Sequence, residues 1–496
     1  MSVIAVSRIR KRQDPSGCPL SAIQPAQLIN YRMATIITGS RILLKQLFDR
    51  IRNERLKNNL LQALPFWVAS LITGFVALFY AETFALAETV TAAIYHYHAW
   101  LLFIISPICF VTSWWLVKRF SPYSRGSGIP QVMAAIELSN PKHDAKIKQL
   151  LSFKVIFIKI VSSIIIVIGG GAIGREGPTI QIAGSIFRKT NELLPRWWPK
   201  ISKKNMIMTG AAAGLAAAFN TPLGGIVFAV EELTKDHISY FKSAIFTAVI
   251  IAGLVAQSFL GSYLYIGYPT VTSLSGYVLF GVLLVAVIAG LMGSGMSKII
   301  LLIFKWQEKF RAQRQHLLYV IACSLVIASL AFFVNESALG SGKSQLITTL
   351  FTHDKYSDWY TPLLRTVSPI LTFTTGASGG IFAPGLSAGG SIGSVISGWF
   401  RLSDSDTNVM ILAGMVAFLT GITRAPFTSA ILVLEMTDRN NLILHLMVAS
   451  IVASIVSILV DKHSLYHHLK NFYKDRLLAE DPRTPAPIEA PVETTG

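Results

Sequence analysis

The stretch Gly169-Gly170-Gly171-Ala172-Ile173-Gly174-Arg175-Glu176-Gly177-Pro178 is nearly bare backbone between two apolar segments, yet it holds an arginine and a glutamate. Upstream, Val155 to Ile168 is almost entirely β-branched and apolar. Downstream, Pro178 is placed to open a new helix, where a missing N–H costs nothing. The pattern predicts a helix that breaks, leaves glycine backbone exposed, and restarts with a carboxylate at the restart. A half-helix starting inside a membrane points its unpaired N–H groups and the positive end of its dipole into the interior. That end attracts an anion, and Glu176 is itself an anion on a short tether. We read Glu176 as a gate competing with a transported anion for one pocket. The plainer alternative is a glutamate that only complements a helix N-terminus. In an apolar, glycine-rich setting the functional reading is preferred, because an acid at membrane depth is expensive.

Composition supports a membrane setting. Of 496 residues, 52% are hydrophobic and 14% charged, with a mean hydropathy of +0.53. A chain this long with that balance reads as a polytopic membrane protein. The net charge of +18 would point to nucleic acid in a soluble chain. Here the basic residues lie mostly between apolar spans and at the ends, so they report orientation and contact with anionic lipid, and no nucleic-acid partner is expected. Cys18, Cys109 and Cys323 fall in no metal spacing and imply no disulfide framework.

Residues 1–59 read as a basic, cytoplasmic N-terminal segment. Arg8-Ile9-Arg10-Lys11-Arg12 is not followed by an apolar signal core, and Met33 is an alternative start. From Arg41 to Lys57 the pattern is amphipathic and basic, as in a helix lying on a membrane surface. Thirteen apolar segments follow between Leu64 and Leu459. Several are shorter than the roughly 20 residues a span needs, and many are interrupted by glycine and proline. Broken helices at membrane depth are tolerated where they line a protected polar cavity, which is a habit of transporters and channels. Residues 471–496, with Pro482, Pro485, Pro487 and Pro491, read as a disordered polar tail.

The chain also repeats itself. Gly174-Arg175-Glu176-Gly177-Pro178 and Gly184 recur as Gly380-Ile381-Phe382-Ala383-Pro384 and Gly390, at an offset of 206 residues. Gly210, Pro222 and Glu231 recur as Gly414, Pro426 and Glu435, at an offset of 204. Residues of about 65–265 and 275–470 are therefore two copies of one unit within a membrane domain of 60–470. Two such copies bring two half-helix N-termini to one central site. The sequence leaves open whether the copies are inverted.

A third glycine-rich, proline-closed stretch is Gly126-Ser127-Gly128-Ile129-Pro130. The Ser127 hydroxyl can donate to an anion, and the N–H groups around it, at Gly128 and Ile129, open a helix. Taken alone, Ser127 reads as an ordinary N-cap serine. In the stretch around Gly380 the candidate donors are the N–H groups of Ile381 and Phe382, and in the first stretch that of Gly177. Partial charges suit an ion that must also leave.

Together, GSGIP at 126–130, GREGP at 174–178 and GIFAP at 380–384 resemble the CLC family of chloride channels and chloride/proton antiporters, in order and rough spacing. The resemblance covers about 60–470. It implies an all-α polytopic fold with two inverted repeats of short, broken, tilted helices. It also implies a homodimer with one pathway per subunit, with chloride and protons as the partners besides lipid. Ser127 and Tyr466 resemble the side chains that hold the central anion, and Ile381 and Phe382 the backbone donors. Without the resemblance Tyr466 reads as an interfacial tyrosine. Glu176 matches the gating glutamate. Ser127, where other members have proline, resembles chloride-selective members.

Gly224 to Leu233 ends an apolar run with two acids, Glu231 and Glu232. Proton-coupled members of the family carry an acid at the second position, so Glu232 resembles the internal proton-transfer acid. Glu231 has a repeat partner in Glu435 and reads as structural. The plain alternative for Glu232 is a solvated glutamate near Lys235. Gln131 and Met133 depart from members that have acids there. The implied function is proton-coupled chloride antiport, with protons reaching Glu176 through Glu232. The rivals are a passive chloride channel of the same fold and, remotely, a membrane enzyme using Glu176 or His237. The spans hold no nucleophile–base pair, no His-x-x-x-His and no Asp-rich set, and His467-His468 reads as surface. No cofactor or metal is expected. The expected location is a prokaryotic inner membrane with both termini cytoplasmic, and the lack of a nucleotide-sensing pair after the membrane part is a prokaryotic trait.

Overall fold

The glycines after Ile168 do end a helix. The computed structural model describes residues 45–46, 48–233, 242–260, 266–271, 274–352 and 354–479. The described residues are almost all helical, and their β-pairing consists of two isolated bridges. The first half contains α1 (Glu54–His98), α2 (Leu102–Phe120), α3 (Ile129–Glu137), α4 (Asp144–Leu150), α5 (Phe153–Ile168), α6 (Glu176–Leu193), α7 (Lys203–Phe219), α8 (Pro222–Phe228) and α9 (Lys242–Leu260). The second contains α10 (Val278–Gln307), α11 (Gln313–Phe333), α12 (Lys343–Phe351), α13 (Thr361–Thr374), α14 (Phe382–Phe400), α15 (Asp404–Thr423), α16 (Pro426–Thr437), α17 (Ile443–Val460) and α18 (Leu465–Ala479).

Six helical stretches among the described residues are long and apolar enough to cross a membrane, the first being Glu54–Phe120 at 67 residues. Others are too short: α3 has nine residues and α8 has seven. Short helices thus lie among long ones, as the broken apolar segments predict. Large apolar side chains such as Phe79, Phe157, Phe280 and Leu459 stay exposed, which suits lipid-facing surfaces.

The residues group into two compact units, 1–62 with 194–199, and 63–193 with 200–496. In the first, Asn53 Oδ1 accepts from the N–H groups of Arg55 and Leu56 at 3.1 Å and starts α1. Trp198 Nε1 donates to the Leu61 carbonyl at 2.6 Å. Of the expected surface helix over 41–57, residues 41–44 and 47 lie outside the described residues. Its described end is not one helix, because 51–53 interrupt it before α1.

In the second unit, α5 starts at Ser152, whose hydroxyl accepts from Val155 N–H at 3.4 Å. It ends where Gly170, at φ +82°, lets the N–H groups of Gly170 and Gly171 turn back onto the Val167 and Ile166 carbonyls. An L side chain would be strained at that φ. The next helix begins at Glu176, two residues before Pro178, so the acid is the first helical residue.

The innermost helix is α15, buried along its whole apolar length. It lies against α14, where Gly389 and Gly414 bring backbone to backbone with no room for a Cβ. The helix carrying Tyr466 runs on to Ala479, which corrects the tail expected from 471. Leu469, Tyr473 and Leu477, spaced by four, are buried on one face, and Lys470 and Lys474 find an acid partner. Amphipathic spacing therefore outweighs local polarity there. Residues 480–496 lie outside the described ones.

Candidate functional site

All three glycine-rich stretches meet. Gly174 and Gly380 exchange both N–H···O bonds at 2.8 Å, an antiparallel bridge between equivalent residues of the two repeats. Gly126 N–H donates to the Ala377 carbonyl at 2.8 Å, and Gly379 N–H to the Gly126 carbonyl at 3.1 Å. Exchange between equivalent positions is what a local two-fold axis produces. The ends of the repeats obey the same symmetry. Glu231 accepts from the N–H groups of Phe427 and Thr428, at 3.1 and 2.6 Å, at the start of α16. Glu435 accepts from those of Leu223 and Gly224, at 3.1 and 2.8 Å, at the start of α8. Each acid caps the other repeat's helix, which is the structural part read for Glu231.

Around these bridges the residues picked from the sequence come together. Ser127, Glu176, Phe382 and Tyr466 are all at most 2% exposed. The Ser127 hydroxyl lies against Gly177, where any Cβ would collide with it. The Glu176 carboxylate folds back onto Gly174. The rings of Phe382 and Tyr466 sit 5.9 Å apart, and Phe382 stacks on Phe219 at 6.2 Å. Tyr466 is within electrostatic reach of Glu176 and Glu232 and faces the Ser127 hydroxyl. That contact misses hydrogen-bond geometry, so Ser127 Oγ and Tyr466 Oη are both buried without a partner. Helices α3, α6 and α14 start here, at Ile129, Glu176 and Phe382, with their first N–H groups beyond intrahelical reach. Gly128 precedes Ile129 as N-cap, and Ile381, fully buried, precedes Phe382 in the same role.

Such a cluster offers hydroxyl donors, backbone donors and the positive ends of three helix dipoles. It suits a monovalent anion held by partial charges. Glu232 is half-buried in a π-helical turn, Ala229–Leu233, which also carries Glu231. His237 and Lys235 lie outside the described residues.

Lys159 escaped the sequence reading. Fully buried in α5, its ammonium donates to the carbonyls of Ser124 and Gly126, both at 3.0 Å, and so holds the loop that presents Ser127. The signal was there, since a lysine within an otherwise apolar span must have a buried acceptor. Gln131 donates to the carbonyls of Tyr123 and Arg125 at 3.2 and 2.7 Å, fixing the same loop. Glu137, at the end of α3, pairs with Lys470 and Lys474 of α18 at 2.7 Å each. The Ser127 helix and the Tyr466 helix are thereby tied together.

Residues 108–458 match the family described as "Voltage gated chloride channel". The chain belongs to that family. Similar proteins include the H(+)/Cl(-) exchange transporter ClcA of Cronobacter sakazakii, 31% identical over 379 residues, covering 74% of this chain and 79% of the relative. The ClcA exchange transporter of Klebsiella pneumoniae is 30% identical over 384 residues, covering 75% and 78%. Among solved structures, a slow cyanobacterial Cl-/H+ antiporter superposes with a TM-score of 0.73 at 25% identity, over 84% of this chain and 98% of that one. A CLC-type fluoride/proton antiporter shares the fold, with a TM-score of 0.67 at 22% identity over 82% and 96%. The protein is a multi-pass membrane transport protein and not an enzyme.

Proposed function

We propose that the chain exchanges chloride for protons across a membrane, with Glu176 as gate and Glu232 as the internal proton donor. The observation that carries this is the convergence of Ser127, Glu176, Phe382 and Tyr466 on one buried point where helix N-termini meet. The exchange transporters similar in sequence support the same reading. Chloride is held by the hydroxyls of Ser127 and Tyr466 and the N–H groups of Ile381 and Phe382. Ile129 and Gly177, with Gly128, add backbone donors from the other two stretches. Ionised, Glu176 occupies the positive end of α6 and excludes the anion. Protonated, it loses that attraction and yields its place. Protons arrive through Glu232, so each movement of the gate carries a proton one way and chloride the other.

Proteoliposomes with opposed chloride and pH gradients test this. The exchange reading expects a chloride gradient to drive protons uphill and the reversal potential to follow both gradients. A reversal potential indifferent to pH would assign the chain to the passive channels of the fold. We further propose a homodimer in a bacterial inner membrane with both termini cytoplasmic. Cross-linking in the membrane and protease protection of the termini test these two points.

A further inference from the structure

From the end of α17 into the start of α18 the chain reads Asp461-Lys462-His463-Ser464-Leu465-Tyr466-His467-His468, so ionisable side chains crowd around the tyrosine of the anion site. A carboxylate oxygen of Asp461 and a ring nitrogen each of His463 and His468 lie within 4.8 Å of one another. His468 Nε2 is 3.2 Å from both carboxylate oxygens of Asp461. The rings of His463 and His467 stack at 4.7 Å, and His463 meets His468 edge-on at 5.7 Å.

The carboxylate is held in place before any ligand arrives. Asp461 ends α17, with its N–H on the Ser457 carbonyl at 3.2 Å. Its own carbonyl accepts from Arg424 Nη2 at 3.0 Å, and its Oδ1 from His463 N–H at 2.9 Å. His468 is fixed by the start of α18, where its N–H reaches the Ser464 carbonyl at 3.2 Å and His467 N–H reaches Ser464 Oγ at 3.1 Å. His463 is exposed, while Asp461 and His468 also line a cavity of about 960 Å³. An ion therefore has a way in.

We propose that Asp461, His463 and His468 form a site for a divalent transition metal, Zn²⁺ being the best fit, and that the bound ion slows transport by locking the helix that carries Tyr466. Two imidazoles and one carboxylate are a familiar Zn²⁺ donor set, leaving further positions to water. The ligands join the end of α17 to the second turn of α18 on either side of Tyr466, so the ion acts as a clip across that residue. Lys118, Arg125, Lys298, Lys305 and Arg476 in the same cavity wall oppose a cation. They set the expected affinity on the order of micromolar, well short of that of a closed structural site. The binding site stands on geometry alone, and only the effect on rate rests on the transport reading.

The test starts with tag-free, full-length protein in detergent, titrated with Co²⁺ and followed by visible absorption. One Co²⁺ per chain, displaced by Zn²⁺, is expected. H463A should weaken it about tenfold, and H463A/H468A should abolish it. His463 is exposed, so H463A spares the fold even where the double variant does not. Equal Co²⁺ binding by wild type and both variants would overturn the site. In proteoliposomes, Zn²⁺ on both faces should slow chloride efflux several-fold for wild type, and H463A should need about tenfold more Zn²⁺ for the same slowing. Equal inhibition of the two, or none, would overturn the locking role. A preparation moving no chloride without metal would instead count against the transport reading, and the absorption titration would still decide the site.

Discussion

Glu176 and Phe382 sit at equivalent positions in the two halves, 206 residues apart, each the first residue of a helix with proline third. The backbones around them are alike enough for Gly174 and Gly380 to exchange hydrogen bonds. The side chains are opposites. One half offers a titratable carboxylate to the shared pocket and the other a fixed aromatic wall. The same contrast recurs further on, where Glu232 and Met436 are equivalent, 204 residues apart, directly after the reciprocal caps Glu231 and Glu435. Met436 is fully buried and Glu232 is half-exposed. On the proposed reading, the duplicated backbone supplies an anion site from both halves, while Glu176 and Glu232, the two acids assigned to the proton route, both belong to the first half. Proton coupling on this view is a one-sided addition to a symmetric anion device.

The sharpest way to break that view is to erase the asymmetry. Glu176→Ala should cut chloride-driven proton pumping about 100-fold or more, on the scale of losing a positioned proton-transfer group, while chloride flux persists. Pumping retained in that variant's proteoliposomes would remove Glu176 from the gate. Glu232→Met, which makes the halves match at the second position, should lower proton flux on a similar scale and leave Glu176 in place. If protons still exchange for chloride, the internal acid lies elsewhere.

A smaller effect sharpens the comparison at Gly177, whose equivalent in the second half is Ala383. A Cβ at 177 would collide with the Ser127 hydroxyl, whereas Ala383 already carries one. Gly177→Ala should weaken chloride binding about tenfold, from roughly 1–2 kcal/mol of steric displacement. Ala383→Gly should change it little. Isothermal titration with chloride separates the two. The smallest expected effect is on the part the halves share. Glu231→Gln and Glu435→Gln should each cost about 1 kcal/mol, the worth of a helix cap, and the two losses should be nearly equal. Clearly unequal shifts in thermal unfolding would argue against the local two-fold relation.

Much of this was legible in the residues. Helix breaks announce themselves through glycine and proline, since only glycine accepts the φ at position 170 and only the first turn tolerates Pro178. The repeat offsets were countable, and they paired Glu231 with Glu435 before either was seen to cap the other's repeat. Lys159 was visible as a lysine among isoleucines, but its acceptors, two carbonyls more than thirty residues upstream, could not be named from the sequence. The course of α18 past 471 was hidden because its burial depends on partners such as Glu137, more than three hundred residues away.

By itself, then, the sequence determined that the chain lies in a membrane, that its helices break at three glycine-rich points, and that an acid stands at one of those breaks. These are properties of local hydropathy and backbone freedom, which act over a few residues. Only the tertiary structure decided that the three breaks meet and that the repeats face each other across a two-fold axis. It alone set Tyr466 opposite Ser127 and brought Asp461, His463 and His468 to one point. Those facts depend on contacts between residues far apart in the chain, or on the exact turn taken between two helices, and neither is fixed by local preference.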